Sequence, residues 1–185
     1  MEKVILVEPE IPENTGFIAR LAANFEAELR IIQPEFNLSE ARKTTNKYQD
    51  KLRNAEIYET VEKAVENLDY VVGTKPGKGV GLKKFQPREN MSLMIGRESH
   101  GLSNKELEHC DTKIHIETGK HSSLNQSHAA AVLMHSFYTK QKKQVKVDKL
   151  DAINEETGEV TRKLLKRAAP TEKEMKAVTA EIKSR

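Results

Sequence analysis

The sequence contains one cysteine and no long apolar run, and each absence excludes a class of protein. Cys110 has no second cysteine with which to pair, so an intrachain disulfide is excluded and a reducing cytoplasm is the expected compartment. No apolar run reaches about eighteen residues, so no membrane-spanning helix and no membrane partner are expected. The N-terminus turns acidic after a short apolar run and lacks a basic start, so no secretory signal is expected.

Charged residues are plentiful but unevenly distributed. The chain of 185 residues is 32% charged and 37% hydrophobic, which is typical of a globular protein, and its formal net charge is +3. Residues 1–139 contain 18 lysines and arginines against 20 acidic residues, whereas residues 140–185 contain 13 against 8. The basic C-terminal segment is typical of contact with a polyanion, and equally typical of a solvated helical tail.

Short β-branched runs alternate with helical patterns over residues 1–139. Several of the runs are continuously apolar, as expected for parallel strands that are buried on both faces. Ser103 followed by Glu106 predicts a capping box. This alternation predicts an α/β domain around a parallel sheet. Strands are predicted at 4–7, 29–32, 56–58, 70–72, 92–95 and 113–116, and helices at 14–25, 39–54, 60–68, 103–109 and 124–139.

The pattern changes after Lys140. Residues 141–149 are highly charged and predict a linker, and residues 151–168 and 171–184 have helical patterns separated by Pro170. The apolar residues of this segment are too few to form a core of their own. We therefore predict an α/β domain at residues 1–139 and a basic helical extension at residues 140–185.

Two polar loops, one near the start of the domain and one near its middle, each follow an apolar run. The first loop, residues 8–16, leads into a helix in which Arg20 lies within an apolar stretch, so Arg20 is either functional or half of a structural ion pair. Asn14 is also a favoured N-cap residue, which would by itself explain its presence. The second loop, residues 73–81, matches neither a P-loop nor a dinucleotide fingerprint, and is either a ligand-binding loop or a plain surface loop.

The most informative cluster combines residues 94–102 with residues 115–125. Both are polar, glycine-bearing turns that follow predicted strands, and together they can present backbone groups to one small ligand. No metal is expected, because His121, His128 and His135 are spaced by seven residues, whereas zinc ligands lie closer together. A nucleophile elbow of the form G-x-S-x-G does not occur either.

Taken in order, these clusters resemble the three motifs of the SpoU branch of the SPOUT methyltransferases. The first is an N-x5-R element at residues 14–20, and the second is a G-x-E-x-x-G-L element at residues 96–102. The third is an S-L-N-Q-S element at residues 123–127, followed by alanines at 129–131. Three motifs in the same order over residues 4–138 make the resemblance specific.

The resemblance implies a fold, an assembly and a cofactor. The implied fold is a trefoil-knotted α/β domain with a parallel sheet and helices on both faces. The implied assembly is a homodimer whose active site is built at the subunit interface. The implied methyl donor is S-adenosylmethionine, held largely by backbone groups in the knot. The corresponding cofactor-binding positions are Thr74, Lys75, Pro76, Gly96, Ile116, Ser123, Leu124 and Asn125.

The implied activity is methylation of an RNA ribose 2'-hydroxyl group. Arg20 corresponds to an arginine that assists loss of the hydroxyl proton in related enzymes. Because a guanidinium does not give up its own proton in proteins, orientation or oxyanion stabilisation is the more reasonable role for Arg20. Asn14, Glu98 and Ser123 correspond to supporting residues of the catalytic site.

The resemblance also indicates the RNA substrate. The E-P-E-I-P-E-N-T-G stretch of the first motif resembles small tRNA enzymes that act on the wobble ribose. The third motif and the C-terminal extension resemble relatives that methylate tRNA at the start of the anticodon loop. We therefore expect tRNA ahead of ribosomal RNA. The alternatives are an rRNA 2'-O-methyltransferase, a non-catalytic RNA-binding member of the fold, and base methylation, which the first and third motifs disfavour.

Overall fold

The structure, a computed structural model, describes residues 1–141 and contains seven strands in that range. The strands are β1 (Lys3–Val7), β2 (Glu28–Ile32), β3 (Glu56–Tyr58), β4 (Tyr70–Thr74), β5 (Val80–Gly81), β6 (Met91–Ile95) and β7 (Thr112–His115). The α-helices are α1 (Pro12–Asn24), α2 (Arg42–Thr45), α3 (Gln49–Arg53), α4 (Val61–Val65), α5 (Asn104–Glu108) and α6 (Gln126–Gln141). The predicted linker and tail helices lie outside the described residues, apart from Gln141 at the end of α6.

The seven strands form one sheet in the order β3-β2-β1-β6-β4-β7-β5. Every pairing between neighbouring strands is parallel, with Val4 opposite Leu29 on one side and opposite Leu93 on the other. Parallel pairing brings the carboxyl ends of β1, β4, β6 and β7 to the same edge, where open α/β sheets bind ligands. The predicted α/β architecture is confirmed, whereas the trefoil knot stays a prediction with which this strand order is consistent.

The side chains of β1 alternate between two hydrophobic clusters. Val4 and Leu6 pack with Ile18 of α1 and with residues of α6, whereas Ile5 and Val7 pack into the cluster that contains α4 and α5. All four strand residues are at most 1% exposed. Helices therefore cover both faces of the sheet, which explains why the β1 sequence is apolar at consecutive positions rather than at alternate ones.

The start of α1 lies so close to α2 that only glycine fits between them. A Cβ atom on Gly16 would lie 1.8 Å from Thr44 Oγ1 and 2.3 Å from the Ala41 carbonyl oxygen. The Thr44 hydroxyl also donates a hydrogen bond of 3.2 Å to the Glu13 carbonyl oxygen. This contact fixes the first turns of α1, which carry Asn14, against a second element.

Two predicted helices differ from the structure. The predicted helix at 39–54 is divided into α2, a 3-10 turn (Asn46–Tyr48) and α3, because Asn46 adopts a left-handed φ of 52° that interrupts the helix. The predicted helix at 60–68 is only the five residues of α4, and Asn67 beyond it has a φ of 65°. Strand β5 was not predicted, since two residues are too few to give a periodic pattern.

Other boundaries shift by a few residues. Helix α1 begins at Pro12 rather than at residue 14, and α6 continues to Gln141, across the predicted domain boundary at residue 139. The division into two domains therefore stays a prediction. Within residues 1–141, no helix combines the length and the apolar character that a membrane crossing requires.

Cys110 lies behind β4, where its thiol is half-buried. A Cβ atom on Gly73 would approach Cys110 Sγ to 2.5 Å, so the strand backbone packs directly against the sulfur. Burial, assisted by the charge of Asp111, raises the pKa of the Cys110 thiol to about 12. The reactive thiolate is therefore scarce at neutral pH.

We expect iodoacetamide at about pH 8 to alkylate native Cys110 at least about tenfold more slowly than Cys110 in guanidinium-unfolded protein, because only unfolding restores an ordinary thiolate fraction. Intact-mass measurement after quenching gives both rates, and free glutathione in the same buffers controls for the effect of guanidinium on the reagent. Equal rates for the native and unfolded chains would contradict the packing of Cys110 against Gly73.

Candidate ligand-binding and catalytic site

A cavity of about 540 Å³ opens at the carboxyl ends of β4, β6 and β7, beside the start of α6. All eight residues predicted to bind the cofactor line it, although they come from loops far apart in the sequence. Glu98 and Ser123 line the same cavity, and Asn14 reaches it through hydrogen bonds described below. The cofactor-binding role of each residue stays a prediction. The eight are Thr74, Lys75, Pro76, Gly96, Ile116, Ser123, Leu124 and Asn125.

The Glu98 carboxylate caps the start of α1 from a distant loop. It accepts hydrogen bonds from the backbone N–H groups of Glu10 (2.9 Å) and Ile11 (3.3 Å) and from Asn14 Nδ2 (3.0 Å). Ile11 is the N-cap residue of α1 and supplies no side-chain cap of its own. A negative group at a helix N-terminus satisfies otherwise unpaired N–H groups and interacts favourably with the helix dipole.

Asn14 is not the N-cap of α1, as its sequence position had suggested, but lies within the first turn. Its side chain is 5% exposed, and its Oδ1 accepts a hydrogen bond of 3.2 Å from Asn125 Nδ2. Asn125 Oδ1 in turn accepts from the backbone N–H groups of Ser127 (2.9 Å) and His128 (3.3 Å) at the start of α6. Glu98, Asn14 and Asn125 thus form a chain of hydrogen bonds, here called the three-loop bridge, that joins one residue from each motif.

A second set of hydrogen bonds joins the loop before α1 to the loop after β6, and here the loop before α1 supplies the carboxylate. The Glu10 carboxylate accepts hydrogen bonds from the Ser99 backbone N–H (2.8 Å) and from Ser99 Oγ (2.6 Å). These bonds from the Ser99 hydroxyl and amide hold the pKa of Glu10 below its ordinary value. The Ser99 hydroxyl also lies 2.7 Å from His100 Nδ1. Both Ser99 and His100 line the cavity.

Arg97 holds the base of the 96–102 loop. Its guanidinium contacts the Glu106 carboxylate at 2.9 and 3.1 Å and the Glu8 carboxylate at 2.6 Å, and the bonds to Glu106 are the main reason that the pKa of Arg97 is raised. Burial alone would raise the pKa of Glu106, but the hydrogen bonds from Arg97 and Ser103 outweigh burial, so the pKa lies below its ordinary value. Ser103 and Glu106 form the predicted capping box of α5, which is confirmed.

Gly96 shapes the cavity through its backbone. A Cβ atom there would lie 2.2 Å from the Gly101 carbonyl carbon and 2.3 Å from the Leu102 nitrogen. Its carbonyl oxygen accepts a hydrogen bond of 2.9 Å from Gln126 Nε2, and Gln126 is 5% exposed. A side chain at position 96 would therefore displace the loop itself before filling the cavity.

Arg20 lies on the exposed face of α1 and does not line the cavity of its own chain. Within residues 1–141 its guanidinium has no hydrogen bond or ion pair, so the structure provides no support in that range for the structural ion pair that the sequence left open. Phe17, one helical turn earlier, is 46% exposed on the same side of α1.

Four residues around the cavity were not identified from the sequence. Each forms a hydrogen bond with a residue 30 or 89 positions away in the chain, and no local pattern indicates such a pairing. The signal that the sequence offered was the motif at 96–102, because each of these three hydrogen bonds has one partner within that motif. Within the described chain, no three His, Cys, Asp or Glu side chains come together as metal ligands would. The four are Glu10, Arg97, Ser99 and Gln126.

A seven-stranded parallel sheet with a cavity at the strand ends, bordered by three linked motifs, defines an α/β methyltransferase domain of the SPOUT class. The family model described as "SpoU rRNA Methylase family" matches residues 2–135. The chain therefore belongs to the SpoU methylase family.

Among similar proteins, tRNA (cytidine-2'-O-)-methyltransferase TrmJ of Methanocaldococcus jannaschii is 36% identical over 157 residues, which cover 76% of this chain and 68% of the relative. A structure described as "Structural insights into the 2-OH methylation of C/U34 on tRNA" superimposes with a TM-score of 0.71 at 27% identity, over 77% of this chain and 97% of that one.

The methyltransferase AviRb of Streptomyces viridochromogenes, solved with AdoMet, has a TM-score of 0.66 at 22% identity and is similar in fold, over 77% of this chain and 58% of that one. The chain spans about two thirds of the length of the curated TrmJ relatives, covering 64% to 68% of the archaeal ones and 66% of that from Pseudomonas aeruginosa.

The three-loop bridge predicts the effect of replacing Asn14. We expect Asn14→Ala to lower the free energy of unfolding by about 1–3 kcal/mol, because the substitution leaves buried partners without a hydrogen bond. Asn14→Asp should be worse, since it places a second carboxylate beside Glu98. Urea unfolding measures both, and Glu13→Ala, at an exposed neighbouring position, is the control. An Asn14→Ala protein as stable as the control would show that the bridge contributes nothing to the fold.

Proposed function

We propose that this chain is an S-adenosylmethionine-dependent tRNA ribose 2'-O-methyltransferase that acts in the cytoplasm as a homodimer, on the anticodon loop region. The observation that carries the proposal is the three-loop bridge, which joins all three motifs of a methylase family at one cavity. The 2'-hydroxyl specificity and the tRNA substrate are supported by relatives whose names state those activities.

The cavity fits the proposed cofactor in size and in the chemistry of its walls. Its volume of about 540 Å³ lies within the range of small-molecule sites, about 300–1,000 Å³. Leu102, Ile116 and Leu124 offer apolar contact for a purine ring, and the turn at Gly96 brings backbone groups close without an intervening side chain. S-adenosylmethionine would supply the electrophilic methyl group. The residues of this chain would orient it and exclude water.

The surface beside the cavity fits an RNA backbone. Lys75 lines the cavity, and Lys78 is tied to its wall because His115 Nδ1 lies 3.1 Å from the Lys78 carbonyl oxygen. Lys113 is two residues before His115 and therefore on the same face of β7, and Lys120 lies in the loop that leads to the third motif. This set, the basic rim, can neutralise phosphates of a bound RNA.

An apolar helix face supports the homodimer. Phe17 on α1 is 46% exposed and Val132 on α6 is 43% exposed. The two helices are neighbours, since the ring of Phe25, the C-cap residue of α1, packs against His135 of α6 with their ring centroids 6.4 Å apart. Exposed apolar groups on adjacent helices indicate an interaction surface. Arg20 shares the outer side of α1 with Phe17, and we propose that a twofold dimer through this face brings Arg20 to the cavity of the partner.

The first test is methyl transfer to an unmodified tRNA transcript. We expect alkali-resistant labelled dinucleotides from the wild-type protein and a rate lower by about 10²–10³-fold for Arg20→Ala, as for loss of an oxyanion donor. Arg20→Lys should recover little, because an ammonium does not reproduce the planar guanidinium fork. Arg53→Ala, which removes an exposed arginine paired with Asp50, is the control.

Three outcomes would contradict the proposal. A protein that binds the tRNA but not S-adenosylmethionine would be a non-catalytic member of the fold. Methyl groups found on the bases by nucleoside mass spectrometry would show that the protein is a base methyltransferase instead. Full activity of Arg20→Ala would remove Arg20 from the mechanism.

The second test is the assembly state. We expect light scattering at micromolar protein to give twice the chain mass of 21.0 kDa, and Phe17→Asp or Val132→Asp to give the monomer mass, because a charge would be buried in the interface. Ile57→Asp replaces a side chain that is 51% exposed on β3, at the far edge of the sheet, and should leave the dimer intact. A wild-type monomer, or a dimer that survives both helix substitutions, would contradict the proposed interface.

A further inference from the structure

Three side chains form a hydrogen-bonded relay at the mouth of the cavity. The Ser99 hydroxyl lies between Glu10 Oε1, at 2.6 Å, and His100 Nδ1, at 2.7 Å. Glu10 itself is fixed, because its backbone N–H donates to Glu98 and its carboxylate also accepts from the Ser99 backbone N–H. The relay therefore spans two loops that are already held together by the three-loop bridge.

The chemistry of the relay determines which nitrogen of His100 carries the proton. Bonds from Ser99 lower the pKa of Glu10, so its carboxylate is ionised at neutral pH and can only accept hydrogen bonds. The single Ser99 hydroxyl proton is therefore directed to Glu10, and the Ser99 oxygen accepts from His100 Nδ1–H. A neutral imidazole protonated at Nδ1 has its lone pair at Nε2.

The exposed edge of His100 is open to a substrate. The His100 side chain is exposed and lines the cavity, and within residues 1–141 no group is hydrogen-bonded to its Nε2. Arg20, by contrast, does not line this cavity, and a guanidinium cannot accept a proton. The Nε2 lone pair of His100 is therefore available at the mouth of the cavity. His115 also lines the cavity, with its Nδ1 3.1 Å from the Lys78 carbonyl oxygen, but it is less exposed than His100 and has no carboxylate relay behind it within residues 1–141.

We propose that His100 Nε2 is the general base that takes the ribose 2'-hydroxyl proton, and that Ser99 and Glu10 are positioning residues that fix its tautomer. This inference rests on the proposed function. As the O–H bond breaks, the proton moves to Nε2 and an oxygen electron pair forms the bond to the methyl carbon. The bond between that carbon and sulfur breaks, and its electron pair stays on sulfur, so that the sulfonium becomes a neutral thioether and His100 becomes an imidazolium.

The surrounding charges suit this change. The Glu10 carboxylate, acting through Ser99, stabilises the imidazolium as it forms, in the manner of the carboxylate of a catalytic triad. Glu98 in the same loop is engaged by three donors at the start of α1, and Arg97 is paired with Glu8 and Glu106. Lys75 is directed to the Leu102 carbonyl oxygen at 2.9 Å.

The kinetic experiment measures single-turnover methylation of an unmodified tRNA transcript at saturating S-adenosylmethionine as a function of pH. We expect His100→Gln to lower the rate at about pH 7.5 by about 10²–10⁴-fold and to abolish the fall in rate towards acid that protonation of a histidine causes. Ser99→Ala should keep that fall but lower the plateau by about tenfold, since the base remains without its orientation. His109→Gln, which removes a histidine paired with Glu62 on the opposite face of the sheet, is the control.

A spectroscopic readout tests the geometry without turnover. We expect ¹⁵N NMR of the unliganded protein to show His100 as the Nδ1–H tautomer, and Ser99→Ala or Glu10→Gln to shift it to the Nε2–H form that free histidine prefers. The assignment of the signal follows from its loss in His100→Gln.

The outcomes separate this inference from the proposed function. If the wild-type protein methylates RNA and His100→Gln does so with the same rate and pH profile, the role of His100 is overturned while the proposed function stands. An Nε2–H tautomer in the native protein would overturn the relay. Absence of methyl transfer by the wild-type protein would overturn the proposed function and the base together.

Discussion

The carboxylate of Glu98 at the N-terminus of α1 is the contact on which the site depends. The N-cap residue of α1, Ile11, provides no side-chain cap, so the first N–H groups of the helix need an acceptor from elsewhere. Glu98 supplies that acceptor from the loop after β6, and Asn14 extends the contact to Asn125 at the start of α6. Capping of one helix thereby fixes the relative position of three loops, and the cavity lies between them.

The parallel sheet brings these loops together, and hydrogen bonds and ion pairs then restrict the movement of the loop after β6. Since β1, β4, β6 and β7 end at one edge, the loops that follow them are neighbours although they are far apart in sequence. The loop after β6 is held at its base by Arg97 and at its tip by Glu98 and Ser99. A loop held in this way keeps its side chains in place, and the proposed methyl transfer would depend on such positioning.

Local patterns were sufficient for six of the seven strands, and the resemblance of the motifs was sufficient for the location of the cavity. The apolar run of β1 predicted a strand covered on both faces, and the wording of the motifs predicted which loops meet. The helix at 39–54 was wrong because the left-handed Asn46 breaks a pattern that is otherwise continuous. Asn14 shows the remaining limit: an N-cap and a residue that bridges two loops have the same local sequence, and only the position of Glu98, 84 residues away, distinguishes them.

The acidic and basic side chains around the cavity have different surroundings: the carboxylates are hydrogen-bonded within the fold, whereas most of the lysines are exposed. The carboxylates of Glu10 and Glu98 each accept at least two hydrogen bonds from the neighbouring loop, so their negative charge is directed into the fold. The ammonium groups of Lys78, Lys113 and Lys120 have no ion pair within residues 1–141 and face solvent. A polyanion approaching this edge would therefore meet lysines without an ion pair, and carboxylates whose oxygens are already hydrogen-bonded to neutral groups of the fold. In the proposed function, an RNA strand would enter across the basic rim, with its ribose directed towards the loops that carry His100 and Glu98.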